Sequence, residues 1–467
     1  MQSTKAQAPV FEKLIRCAVI LAACAGLCCL ILPVKLSSTP RTPLQQTIDE
    51  LFHAVTDDKS PGLAVLVRNN SRTLFERGYG VRDLQSKARI DARTNFRLAS
   101  FTKQFTAMTI MLLVHDGKLR YDETLAEIFP DFPGYGKTIT VRNLLNHASG
   151  LPDYEDLMDL VEKAKGPTWT PEKQIQDAEV FELLKNENHG KFAPGTSWSY
   201  SNSGYVLLGV IVSRVSGESY GDFLRERMFA PLRMNHTIVF QKGKNEVVNR
   251  AFGHTGYIMT HGGQKVHLSE TDQSSTSATL GDGGIYSNLE DLAKWDDALR
   301  NHTLLSEKEF QPALVPVKLD DGSEPRWPKE ANDDNLHPGK PVAYGFGWFL
   351  DPHDGRRRMW HTGTTMGFRS VIERFTDGDG LTIIILCNRT DLDPEKLALQ
   401  VADSPLLELR SSTPHPRPPR GAGNKLLTSN QRTTQLLFGW FSSHSHRSIA
   451  EQWPHFLLAP AILGRMQ

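Results

Sequence analysis

The chain has 467 residues, 39% of them hydrophobic and 23% charged, with 53 basic and 53 acidic side chains. That is ordinary globular composition and argues against disorder as the main state. A formal charge of zero gives no reason to expect nucleic acid as a partner, and the absence of Walker A, GxGxxG and His-Glu-x-x-His sequences leaves phosphate-cradle and zincin chemistry without support.

In chain order, the first feature is an apolar run over residues 17–34, preceded by Lys5, Lys13 and Arg16. Its length exceeds a usual signal h-region and approaches what a bilayer needs. The basic flank keeps the N-terminal end inside and sends the rest out. Three readings stand side by side: an uncleaved membrane anchor, a cleaved signal, or a lipobox-like "LAAC" with Cys24 as lipid acceptor. All three export the body, which would face the periplasm or exterior or be secreted. Cys17, Cys24, Cys28 and Cys29 lie in this run and Cys387 lies alone, so a disulfide framework across the folded body is excluded.

Residues 35–44 read as a polar linker, and the folded body is expected over 45–405. "GLAVLVRNNSRTLFERGYGVRD" reads as two strands around an Asn69–Asn70 turn. "SFTKQFTAMTIMLLVHDGKL" reads as a helix with Phe101, Phe105, Met108 and Leu112 at helical spacing and Gly117 as its stop. The section 120–300 reads as a helix-rich insert. "RRRMWHTGTTMGFRSVIERFTDGDGLTIIILCNR" then reads as strands with a turn over 377–380, followed by a helix in "DPEKLALQVADSPLL". Strands at both ends and helices between predict an α/β, more closely α+β, fold. An antiparallel sheet built from both chain ends would be flanked by helices, with the active site between it and the helical insert. Residues 406–467, whose composition shifts after about 411 at the linker-like "SSTPHPRPPRGAG", read as a weakly ordered tail.

Ser100-Phe101-Thr102-Lys103 is the single S-x-x-K in the chain. Positions three apart share a helix face, so the hydroxyl and the amine can meet. A serine hydroxyl needs a neighbour to take its proton, and a lysine serves only when neutral. The stretch alone also fits an N-cap serine beside a solvated lysine.

Two tripeptides occur twice: YSN at 200–202 and 286–288, and HTG at 254–256 and 361–363. Tyr286 precedes Ser287-Asn288-Leu289-Glu290, which reads as a capping box with Ser287 as cap and Glu290 answering, so that copy reads as structural. His254 reads as a loop coincidence, and a metal site from His254, His261 and His267 has no supporting spacing. His147 in "LLNHASGL" reads as a structural partner of backbone groups.

The run of motifs resembles the serine beta-lactamase and penicillin-binding protein superfamily. More closely it resembles the class C beta-lactamase-like branch, which includes esterases and D-aminopeptidases. The marks are Ser100–Lys103, Tyr200–Asn202 and His361–Gly363 in that order, with "TVRNLLNHASGLPDY", "FAPGTSWSYSNSGYVLLGVIVSRVSG", "GDGGIYSNLEDLAKW" and "AYGFGWFL". The resemblance covers about residues 45–405. It implies that Ser100 attacks a carbonyl to form an acyl-enzyme, with Lys103 and Tyr200 sharing the proton transfers and either able to be the base. It further implies an oxyanion hole from the N–H groups of Ser100 and Thr364, orientation of substrate and Lys103 by Asn202, and close approach of substrate at Gly363. His361 stands where beta-lactamases usually carry lysine. Histidine, mostly neutral at pH 7, can donate to Tyr200 but offers less charge to a substrate carboxylate, and Arg369 is a candidate replacement cation. The chemistry requires no metal or organic cofactor, and the expected partners are a small-molecule or peptide substrate and, through the N-terminal run, a membrane. The alternatives in other classes are an acylatable sensor and a non-catalytic binding module.

Overall fold

The computed structural model describes residues 41–259, 265–329, 338–378 and 380–407. The N-terminal apolar run, most of the linker and nearly all of the tail lie outside these residues, as does His261. Among the described residues no helix is long and apolar enough to cross a membrane.

Helix α1 spans Pro43–His53; Thr42 accepts the Gln45 N–H, the Gln45 side chain answers, and Pro43 opens the first turn. Folded structure therefore begins inside the stretch read as linker. Strands β1 (Leu63–Asn69) and β2 (Arg72–Tyr79) follow. Their turn is Asn70–Ser71, at φ +45° and +68°, the left-handed pair that a two-residue hairpin requires. It sits one residue later than the sequence reading placed it. Next come β3 (Phe96–Arg97), a 3₁₀ turn at Ala99–Thr102 and α2 (Lys103–His115). Every residue of α2 from Lys103 to Leu113 is buried. A helix apolar on all sides belongs inside, and Gly117, at φ +68°, lies just past its end.

Helices α3 (Tyr154–Lys165), α4 (Asp177–Lys185) and α5 (Asn202–Ser216) form most of the insert. The same section also carries β4 (Ile238–Val239), β5 (His254–Met259), β6 (Lys265–Glu270) and β7 (Ile285–Ser287), so it is less purely helical than expected. Strands β3, β7 and β4 make a three-stranded antiparallel sheet, and β5 pairs with β6. Helix α6 (Leu289–Arg300) is capped by Asn288, whose side chain accepts the Asp291 N–H at 3.0 Å. The expected Ser287–Glu290 box is absent. Ser287 is still paired with Phe96 in the ladder, and its hydroxyl meets that of Thr237 at 2.7 Å, so the first residue free to cap is Asn288.

Strands β8 (Arg358–Thr365), β9 (Phe368–Phe375) and β10 (Leu381–Cys387) precede α7 (Pro394–Ala402). The main sheet runs β2-β1-β10-β9-β8, antiparallel throughout. It joins the two chain ends, as expected for the fold. Alternate side chains serve opposite faces: Leu63, Val65 and Val67 pack with Ile383, Ile385, Phe52 and Leu397 under α1 and α7, while Ala64 and Leu66 pack with Ile384, Leu386, Phe101 and Phe105 towards α2. A buried carboxylate pins α6 to the sheet. Asp296 accepts from Arg68 at 2.9 Å, Arg374 at 2.8 Å and Thr382 at 2.9 Å.

Candidate active site

The chain reaches Ser100 through a constrained turn. Ala99 is held at φ +51°, a conformation costly for a residue with a Cβ. Ser100 then sits in the 3₁₀ turn, half-buried, with Lys103 beginning α2. Lys103 is fully buried. Its Nζ donates to Ser100 Oγ at 2.9 Å, to Asn202 Oδ1 at 2.8 Å and to the Asp282 carbonyl at 3.2 Å. The amine and hydroxyl therefore meet as the i, i+3 spacing predicts, and the solvated-lysine alternative is set aside.

Tyr200 arrives from the segment before α5. Its ring centroid lies 4.8 Å from Lys103 Nζ, and that of Tyr205 lies 5.5 Å away. Ser201 caps α5 by accepting the Gly204 N–H at 3.1 Å, which brings Asn202 onto the first turn of α5, facing Lys103.

His361, Gly363 and Thr364 lie on β8, the edge strand. The turn Met366–Gly367 has two residues, so Thr365 and Phe368 exchange ladder bonds and the next pair, Thr364 and Arg369, does not. The Thr364 N–H accordingly points off the sheet edge. Gly363 corrects an expectation. A Cβ there would lie 1.9 Å from the Leu98 carbonyl oxygen and 2.4 Å from Ser370 Oγ. What the missing side chain admits is the backbone leading to Ser100, where the sequence reading placed substrate. Ser370 fixes that approach by donating to the same carbonyl at 2.8 Å.

His361 departs from expectation in its partner. Nδ1 donates to the Thr362 carbonyl at 2.6 Å, so Nε2 accepts, and it does so from the Tyr344 hydroxyl at 3.1 Å. The phenol bound to the imidazole is that of Tyr344, while the Tyr200 ring stands 6.2 Å away, centroid to centroid. Burial, and after it the Lys103 charge, pushes the His361 imidazole down to about 3. Arg369 donates to the Thr365 and Phe368 carbonyls at the β8–β9 turn.

The second copies of the tripeptides are accounted for. Tyr286 is buried on β7 and receives a hydrogen bond from Arg250 at 3.0 Å. His254 opens strand β5, contrary to the loop reading, with its ring Nδ1 3.2 Å from the Asn388 carbonyl. It pairs with Glu270 of β6, and its backbone N–H reaches the carbonyls of Gly367 and Asn388. Among the described residues, His353, Asp354 and Asp403 form one surface group with metal-ligand spacing, but Arg356 already pairs with Asp403 at 2.7 Å. Two site features went unassigned in the sequence: the Asp282 carbonyl and Tyr344. Both lie in quoted motifs, "GDGG" and "AYGFGW".

Residues 44–404 match the Beta-lactamase family model. The chain belongs to that family. It is similar to Penicillin-binding protein 4* of Bacillus subtilis (strain 168), 30% identical over 388 residues, covering 81% of this chain and 78% of the relative. Among solved structures it is similar to the D-amino acid amidase of Ochrobactrum anthropi SV3 complexed with L-phenylalanine amide, with a TM-score of 0.61 and 25% identity over 79% of this chain and 99% of that one. It also shares the fold of the octameric penicillin-binding protein homologue of Pyrococcus abyssi, with a TM-score of 0.62 and 24% identity over 78% of this chain and 77% of that one. Membership in the Beta-lactamase family supports serine acyl transfer or hydrolysis in general terms.

Proposed function

We propose that the chain is a serine hydrolase of the class C beta-lactamase-like type, acting through an acyl-enzyme on Ser100. The observation that carries this reading is the contact of Lys103 Nζ with Ser100 Oγ at 2.9 Å, deep in a site that leaves the serine itself reachable. Ser100 Oγ attacks the substrate carbonyl while its proton passes into the Lys103–Tyr200 pair. The same pair returns a proton to the leaving amine or alcohol. The N–H groups of Ser100 and Thr364 receive the oxyanion. Asn202 holds Lys103 and orients the substrate. Water then releases the acyl group by the reverse sequence.

The substrate class follows from His361. Its buried ring is neutral, so the site lacks there the fixed cation that would hold a substrate carboxylate. Esters and D-amino-acid amides or capped peptides are therefore the proposed substrates, ahead of carboxylate-bearing beta-lactams. The resemblance to a D-amino acid amidase supports the amide half of that reading. The body acts outside the cytoplasm, anchored or released through the 17–34 run.

Intact-protein mass spectrometry after treatment with a fluorophosphonate tests the nucleophile: Ser100 should gain mass and Ser100→Ala should not. No adduct on Ser100 would overturn the reading. Steady-state hydrolysis of a nitrophenyl ester, a D-amino-acid amide and a chromogenic cephalosporin tests the substrate class, and faster cephalosporin turnover would overturn it. A burst with no steady state would identify an acylatable sensor instead.

A further inference from the structure

His147 is fully buried and sits at φ +63°, a conformation in which few side chains are found. Its backbone carbonyl accepts the Ser199 N–H at 3.1 Å, and its ring Nδ1 accepts the Ser201 N–H, also at 3.1 Å. The two bonds fall on the residues either side of Tyr200. Between them the imidazole packs on the phenol, with centroids 4.4 Å apart and planes tilted by 38°. The ring is held in turn by Tyr344 at 4.5 Å and by the Trp198 edge at 5.8 Å.

We propose that His147 is the positioning residue that fixes Tyr200 against Lys103, a role that rests on the acyl-enzyme reading above. One residue grips the backbone on both sides of the phenol and covers its ring. That task needs an acceptor two bonds beyond Cβ, a flat surface and tolerance of positive φ, and histidine supplies all three. Proton transfer is not the role. Nδ1 is committed as an acceptor, so the neutral ring carries its proton on Nε2, and among the described residues Nε2 has no hydrogen-bond partner. Burial, and after it the charge of Lys103, keeps the ring neutral.

The arrangement extends through Tyr344, which packs on His147 and donates to His361. Two imidazoles, one on the loop before α3 and one on β8, are thereby joined by one tyrosine. Tyr200 stands next to both of them, while Lys103 approaches its ring from α2. Displacing the segment 199–201 by even a fraction of an ångström would move the phenol relative to Ser100, a misplacement to which proton transfer is sensitive.

The test compares His147→Asn and His147→Gly in the full chain. Asparagine tolerates positive φ and can accept the Ser201 N–H, whereas glycine tolerates the φ but offers no acceptor. For nitrophenyl ester hydrolysis, the expected result is a kcat for His147→Gly at least a hundredfold below wild type, with KM within twofold. His147→Asn should recover to within tenfold. Ile385→Ala, in the sheet core under α1 and α7, serves as a control for lost stability, with all proteins assayed where circular dichroism shows them folded. A glycine variant no slower than this control, or an asparagine variant as slow as the glycine one, overturns the inference. Fluorophosphonate labelling of the wild type separates the two levels of failure. No Ser100 adduct sinks the acyl-enzyme reading, whereas an adduct without selective loss in the variants sinks only the role of His147.

Discussion

The peptide of Gly363 and the carbonyl of Leu98 are in direct contact, so close that a single methyl on the glycine would stand 1.9 Å from the carbonyl oxygen. Strand β8 and the turn that carries Ser100 are thus set by one backbone-to-backbone approach. Gly363→Ala must push the strand away from the turn or distort both, since the nearest atom is the Leu98 backbone carbonyl oxygen, and Ser370 Oγ, 2.4 Å away, is itself hydrogen-bonded to that carbonyl. Overpacking of this kind costs about 1–3 kcal/mol. The expected outcome is a lowered melting temperature together with a fall in Ser100 acylation larger than the stability loss explains. A variant with wild-type acylation kinetics would count against the contact.

Lys103 donates to Ser100, Asn202 and the Asp282 carbonyl from a fully buried position. Lys103→Met keeps the stem and removes all three bonds. Loss of positioned acid–base catalysis lowers rates by about 10²–10⁴-fold, and the fluorophosphonate labelling rate of Ser100 should fall in that range. Asn202→Ala, which removes one acceptor and keeps the amine, should lie between this variant and wild type.

The His361 imidazole titrates at about 3 in the folded chain, against 6.5 ordinarily. Between those values the unfolded chain holds the additional proton, so acid favours unfolding. The stability contributed by the neutral ring is present above pH 6.5 and is lost as the pH falls towards 3. His361→Gln cannot titrate there. In urea denaturation its stability relative to wild type should improve steadily from pH 7 to pH 4, and a constant difference would contradict the assignment.

Asp296 neutralises Arg68 and Arg374, both buried between α6 and the sheet. Asp296→Ala strands the Arg374 guanidinium and leaves Arg68 only its outer partner, Asp297, at 2.9 Å. Breaking one side of a buried ion network costs about 3–5 kcal/mol, so the urea midpoint should drop sharply while any remaining folded protein still labels at Ser100. A loss under 1 kcal/mol would show the network to be dispensable.

Much of this was legible in the sequence. The S-x-x-K spacing, the apolar repeat in α2 and the strand pattern at 358–387 are local signals, each fixed by a helical or extended repeat. What escaped depended on distant residues. Ser287 could not cap α6 because Phe96 holds it in a ladder, and no pattern around 287 reveals that partner. His254 became a strand because it pairs with Glu270 of β6, with its N–H held by the Gly367 and Asn388 carbonyls. Gly363 was read as an opening for substrate because its closest neighbour, Leu98, lies 265 positions earlier in the chain. The partner of His361 was missed for a similar reason: both phenols were visible, and only packing decides which one reaches the ring.

The order of pairing in the main sheet also bears on when the protein becomes reactive during synthesis. β1 finds its second neighbour only in β10, over three hundred residues downstream, and the strand bearing Thr364 hangs from that late hairpin. A nascent chain that has already made Ser100, Lys103 and Tyr200 still lacks the edge strand that carries His361, Gly363 and Thr364. Such long-range closure is slow, so the surroundings of Ser100 are complete only once nearly the whole folded body has left the ribosome.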